Sequence, residues 1–263
     1  MRIKTLLALC TTLTLTVACS DDGDPGDGYT SDAASASGDG DGSETGDGDG
    51  DATDTEETAE TDDGTPIESD NMIDNFEDGD NALIPNGGRQ GYWYTFNDES
   101  EGSMQTPPVD AVLPEEGGAV GTMMALHTTG SGFAEWGAGI GIDLNNAGDP
   151  EGGGNGIKMP YDGSAFTGIA LRAKGNMQIR ASVQTSATVP VEEGGTCEMD
   201  CDPHGKVLLL SDEWQEFLLP FDTLTQEGWG TPAAWDASTL VGLQFKTGAN
   251  ATFDFWVDEI GFY

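Results

Sequence analysis

The sequence predicts an all-β fold, an antiparallel β-sandwich, and three observations predict it. The stretch 253–263 reads F-D-F-W-V-D-E-I-G-F-Y. In an extended run it places Phe253, Phe255, Val257 and Ile260 on one side and Asp254, Trp256 and Asp258 on the other. Such alternation of aromatic and β-branched residues is a strand signal. Short apolar runs recur about ten times from residue 72 onward, at the spacing of an antiparallel sandwich. Gly and Asn/Asp turn signals separate them, and helix signals are few.

Residues 1–19 read as an export signal. Arg2 and Lys4 precede an apolar run at 6–18, short for a bilayer span and suited to a signal-peptide core. It ends V-A-C-S at 17–20. A small residue directly before a cysteine resembles a bacterial lipobox and makes Cys19 the lipidation site. Thr16 departs from the aliphatic preference of that pattern, so secretory cleavage after Ala18 or beyond is the alternative. Residues 20–70 contain no Lys, Arg or His. Low hydrophobicity and high like charge predict a disordered, extended tether. Asp47, Asp49 and Asp51 begin like an EF-hand loop. Ala52 then occupies the glycine position and Thr58 the bidentate glutamate position, so a spacer is the better reading.

Residues 71–263 make one domain, long enough for a sandwich core. Its opening run at 72–77, M-I-D-N-F-E, is the expected partner of the closing strand. That pairing brings Glu77 near Asp258. Two carboxylates inside a sandwich are costly unless compensated. Ca²⁺, a hard ion that takes oxygen ligands, is the natural compensator; two solvated carboxylates at strand ends are the alternative. Further strands are expected at 91–96, 122–128, 137–144, 166–173, 177–185, 207–210, 214–219 and 240–247. Lys174-Gly175-Asn176 reads as the turn of a hairpin between the runs at 166–173 and 177–185. In the second of these, Met177, Ile179, Ala181 and Val183 face the core. Gln178, Arg180, Ser182 and Gln184 line the opposite face.

Cys197 and Cys201 lie within the domain. In an exported chain a short disulfide is expected of them, with a zinc site that includes His204 as the alternative. No G-x-S-x-G, H-E-x-x-H or P-loop motif is present, so nothing marks an enzyme. Tyr92, Trp93 and Tyr94 are consecutive, so at least one must turn away from the core. Trp136, Trp229 and Trp235 sit in Gly-rich or loop-like sequence. Core or loop packing is expected for Trp214, Trp256 and Trp136. Aromatic rings pack on the apolar faces of pyranose sugars, and Asp, Asn, Gln and Arg bond the hydroxyls. The formal net charge is -39, which argues against nucleic acid and anionic lipid as ligands. Neutral glycans remain compatible.

In order along the chain come M-I-D-N-F-E, G-Y-W-Y-T-F-N-D, G-F-A-E-W-G-A-G-I-G, F-T-G-I-A-L-R-A-K-G, S-D-E-W-Q-E-F-L-L-P-F-D-T-L and F-D-F-W-V-D-E-I-G-F-Y. This series resembles the galactose-binding-like β-jelly-roll domains of secreted bacterial lipoproteins, in particular family 11 carbohydrate-binding modules. The resemblance implies a jelly roll with a structural Ca²⁺ held by Glu77 and Asp258, and neutral β-glucan as ligand class. The cysteine-bearing segment 190–205 departs from that pattern.

The expectation is therefore a non-catalytic, surface-anchored, monomeric glycan-binding lipoprotein at the outer membrane or cell surface, or else secreted. It touches membrane through its lipid anchor only and binds no nucleic acid. Tyr92, Trp93 and Tyr94 are expected to stack on sugar, Arg180 and Gln184 to bond hydroxyls, and His204 and Trp229 to contribute from loops. An envelope structural or protein-interaction module is the first alternative, and an unrecognised polysaccharide hydrolase or lyase the second.

Overall fold

The computed structural model describes residues 67–109, 112–148 and 156–263. The export signal, Cys19 and most of the acidic tract lie outside the described residues. The described residues form two antiparallel sheets. The strands are Met72–Asp74 (β1), Trp93–Asn97 (β2), Met104–Thr106 (β3), Glu115–Glu116 (β4), Met124–Ser131 (β5) and Ala138–Asp143 (β6). They continue with Gly168–Gly175 (β7), Gln178–Thr185 (β8), His204–Leu209 (β9), Gln215–Pro220 (β10), Leu240–Lys246 (β11) and Phe253–Phe262 (β12). One sheet runs β10-β7-β12-β5-β3, with β1 added on β12 and β4 on β5. The other runs β2-β6-β11-β8-β9.

The expected end-to-end pairing is present: Met72 lies opposite Gly261 and Asp74 opposite Ile260. Along β12, Phe253, Phe255 and Val257 point into the core. A bulge between Asp258 and Gly261, with Glu259 at φ 45, then shifts the phase. Ile260 and Phe262 are buried in turn, and so is Asp258.

Two expectations are corrected. Residues 174–176 are not a hairpin turn. β7 pairs with β10 and β12, whereas β8 pairs with β9 and β11 in the other sheet, so this segment is a corner that crosses the sandwich. Trp214 and Trp256 are not core residues. Both rings lie 4.8 Å from the Lys174 ammonium, and His127 stacks on Trp256 at 3.8 Å. Trp256 alternates with Phe255 and Val257, which take the core side and leave it the outer face. β3 and β4 went unseen because M-Q-T and E-E carry no apolar period.

Trp93 is the largest fully buried side chain. It packs edge-on against Phe76 at 5.3 Å and stacks near Phe245 at 6.4 Å. Its indole N–H donates to Asp74 Oδ2 at 2.8 Å, and Phe76 N donates to Asp74 Oδ1. Nearby, the buried Arg89 guanidinium donates to the carbonyls of Asp70, Asn71 and Met72. It fixes the chain where β1 begins.

Burial pushes the Asp74 carboxyl up to about 7, against the pull of its hydrogen bonds. The folded state therefore binds this proton more tightly than the unfolded chain. The contribution to stability is full below about pH 4 and is lost as pH rises toward 7, by roughly 4 kcal/mol in all. Without a bound cation, Asp258, pushed up to about 6 by burial, acts with the same sign. Melting temperature measured from pH 4 to 8 should fall, and Asp74→Asn should flatten the curve. An equal slope in the variant would remove Asp74 as the cause.

Candidate functional site

The outward face of the five-stranded sheet carries a trough. Its floor is made by strand alternation. Tyr94 and Phe96 on β2 lie opposite Gly141 and Gly139 on β6. A Cβ at Gly141 would meet the Tyr94 ring at 2.9 Å, and one at Gly139 would meet the Phe96 ring at 2.9 Å. Glycine at both positions lets the two rings lie down over the sheet. Trp136 continues the row. The centroids of Tyr94 and Phe96 are 6.0 Å apart, as are those of Phe96 and Trp136. The Asp98 carboxylate accepts the backbone N–H groups of Glu135, Trp136 and Gly137, each at 2.9 Å. That fixes the loop on which Trp136 stands. Against desolvation, the Ser100 hydroxyl and then the N–H groups of Gly137, Trp136 and Ser100 hold Asp98 far below the ordinary carboxylate range.

Two cavities share Phe96, Glu193 and Gln244 and together form the trough. The first, about 550 Å³, is bounded by Tyr92, Tyr94, Asp143, Asn146 and Lys158. The second, about 720 Å³, is bounded by Trp136, Ser182, Gln184, Pro203, Glu227, Trp229 and Lys246. At the first end Lys158 pairs with Asp143 at 3.2 Å and Glu193 at 2.6 Å. Burial opposes its charge, but Tyr94, Asp143 and Glu193 outweigh that and hold Lys158 above its ordinary value. Burial, then the Asp143 carboxylate, pushes the Tyr94 phenol up to about 12. Its hydroxyl thus keeps its proton. The Gln184 side-chain oxygen is buried without a hydrogen-bond partner among the described residues. A buried acceptor left open in a cavity wall fits a ligand that brings a hydroxyl donor.

The sequence expectations divide here. Tyr92, Tyr94, Gln184 and Trp229 border the trough, and Arg180 lines a smaller adjoining cavity that shares Trp136, Glu227 and Lys246 with it. Trp93 does not stack outward: it is 1% exposed and both its faces belong to the core. His204 is also turned away. It is buried edge-on against Trp235 at 5.5 Å, and desolvation lowers its pKa. Trp136, assigned to packing, is 45% exposed in the trough. Phe96, Gln244 and Lys246 were missed, although the alternate glycines of A-G-I-G-I-D marked a strand with something large lying across it. Arg180 donates to the Thr225 carbonyl at 2.6 Å, and its Nε lies 3.7 Å from Glu227.

Glu77 and Asp258 converge on one loop. Glu77 Oε1 accepts from Met123 N and Met124 N, each at 2.8 Å. Asp258 Oδ2 accepts from Ala119 N at 2.8 Å and from the Thr122 hydroxyl at 2.6 Å. These are oxygen donors of the kind a hard cation takes. Among the described residues no group of three or more His, Cys, Asp or Glu is placed to hold a metal. Cys197 and Cys201 are joined as a disulfide, which displaces the zinc alternative.

No protein-family model matches the chain. A curated relative, Endoglucanase 3 of Fibrobacter succinogenes, is 27% identical over 200 residues, covering 72% of this chain and 26% of the relative. The chain thus spans about a quarter of the relative's length. Among solved structures, the family 11 carbohydrate-binding module of cellulosomal cellulase Lic26A-Cel5E of Clostridium thermocellum is similar. It is 15% identical with a TM-score of 0.46, covering 73% of this chain and 92% of that one. The family 30 module of cellulosomal cellulase Cel9D-Cel44B of the same organism is 12% identical with a TM-score of 0.46, covering 73% and 95%.

Proposed function

We propose that the domain is a non-catalytic glycan-binding module whose trough receives a neutral β-glucan-type chain. The observation that carries this is the row Tyr94–Phe96–Trp136, laid over Gly139 and Gly141 and bordered by Gln184, Ser182 and Gln244. Flat apolar rings flanked by amide and hydroxyl groups suit a sugar, whose ring faces are apolar and whose rim is hydroxylated. The open Gln184 acceptor adds a specific demand for a hydroxyl. The partial match to a protein named an endoglucanase is in keeping with a glucan ligand. Asp143 and Glu193, which meet in the trough, both pair with Lys158, and this arrangement favours binding over hydrolysis. Export, with Cys19 as lipid anchor, would display the trough outside the cell as a monomer.

Isothermal titration of the full chain against β-glucans, xylan and mannans tests the reading. Heat of binding with a neutral β-glucan is expected. No heat with any of them would overturn it, and release of reducing ends would overturn its non-catalytic part.

The same reading includes a structural Ca²⁺ held by Glu77 and Asp258, which would offset the burial of Asp258. A ligand bound only by the folded state stabilises that state. EDTA should therefore lower the melting temperature, and Asp258→Ala should abolish that sensitivity. After prolonged dialysis, an unchanged melting curve in EDTA would remove the ion from the account.

A further inference from the structure

The second wall of the trough is docked on the disulfide loop and on the buried carboxylate that directly follows it. Asp202 is 1% exposed. Its Oδ1 accepts Glu227 N at 3.2 Å and its Oδ2 accepts Gly228 N at 2.7 Å. Its carbonyl accepts the Gln226 side-chain amide at 2.7 Å. The neighbouring carbonyls of Met199 and Asp200 accept the Thr231 hydroxyl and the Thr231 N–H, at 3.0 and 2.8 Å. The segment 226–231 is therefore docked at both ends on residues 199–202, of which all but Asp202 belong to the ring closed by Cys197 and Cys201. The approach is close enough that a Cβ at Gly230 would fall 2.1 Å from the Asp200 carbonyl.

Trp229 stands at the crest of this segment, 56% exposed, and borders the same cavity as Phe96 and Trp136. Its indole N–H donates to Glu227 at 3.1 Å. The ring is thus held in place while a broad part of its surface stays open. An exposed indole tied by a hydrogen bond has less side-chain freedom left to lose on binding, which favours it as an anchor.

We infer that Asp202, held by the Cys197–Cys201 loop, is a positioning residue that sets Trp229 as an additional stacking subsite at the far end of the trough. This rests on the glycan-binding reading and adds chain-length selectivity to it. A short oligosaccharide that fills only the Tyr94–Phe96–Trp136 row does not reach Trp229. A longer one does.

The test is titration of a ladder of β-glucan oligosaccharides, trimer to hexamer, against the unaltered chain, Trp229→Ala, Asp202→Ala and the double variant. The hexamer should bind Trp229→Ala about tenfold more weakly, and the trimer within about twofold of the unaltered chain. Asp202→Ala should show the same length-selective loss. In the double variant the loss should not exceed that of Trp229→Ala alone, because both changes remove one contact. The pair Cys197→Ser with Cys201→Ser should move in the same direction. Should Asp202→Ala fail to fold by its melting curve, Asp202→Asn takes its place. A loss equal at all lengths, additive losses in the double variant, or no loss would overturn the assignment. If the unaltered chain binds no member of the ladder, the glycan reading itself falls. If it binds them all and Trp229→Ala is indifferent to length, only this inference falls.

Discussion

Trp93→Ala should cost the domain about 5 kcal/mol, a third or more of the stability of a typical domain. Two terms contribute. Truncating a fully buried indole leaves a cavity between Phe76 and Phe245, and large-to-small core changes of this kind cost about 3–5 kcal/mol. The second is polar. The indole N–H is the side-chain donor to Asp74 Oδ2, and a buried acceptor that loses its donor costs roughly 1–3 kcal/mol more. Trp93→Phe separates the terms, since it refills most of the volume and restores none of the hydrogen bond. Chemical denaturation of the three proteins provides the measurement. A loss under about 2 kcal/mol for Trp93→Ala would mean that the core relaxes around the gap.

Tyr94→Ala and Phe96→Ala should do the opposite, weakening affinity while sparing the fold. Each removes one ring from the floor of the trough. Truncation of a central aromatic anchor costs about 2 kcal/mol of binding, so each variant should bind glucan roughly thirtyfold more weakly. The rings lie over glycines on the outward face rather than between the sheets, so melting temperatures should change by only a few degrees. Titration and a thermal melt on the same samples decide the matter. Normal affinity in both variants would show that the row is not the ligand surface.

The layout of the sheets was largely legible in the sequence, because alternation is a direct imprint of a strand with one face buried. It located ten of the twelve strands among the described residues and paired the first with the last. It also turned Arg180, Ser182 and Gln184 away from the core. The same rule, applied to Tyr92-Trp93-Tyr94, places the middle ring opposite its neighbours. With Tyr94 in the trough, Trp93 must face inward, where Asp74 receives its N–H. What alternation does not carry is which sheet a strand joins. Residues 174–176 have hairpin composition, yet the chain there passes from one layer to the other. Nor does it reveal residues brought together from distant loops. Trp136 and Trp229 reach the trough through Asp98 and Asp202, whose capping of backbone amides has no local sequence signature beyond an acidic residue in a turn.

The Arg89 clamp has a mechanical consequence. A glycan bound as proposed would grip the five-stranded sheet, whereas the polypeptide leading back toward the amino terminus leaves from β1, in the other sheet. Tension between the two would arrive first at residues 70–72. There the three carbonyls gripped by one buried guanidinium, and the pairing of Met72 and Asp74 along β12, share the load. β1 is only three residues long, so without Arg89 it would peel away one bond at a time. With it, several bonds must fail together before the pull reaches Trp93 and the core.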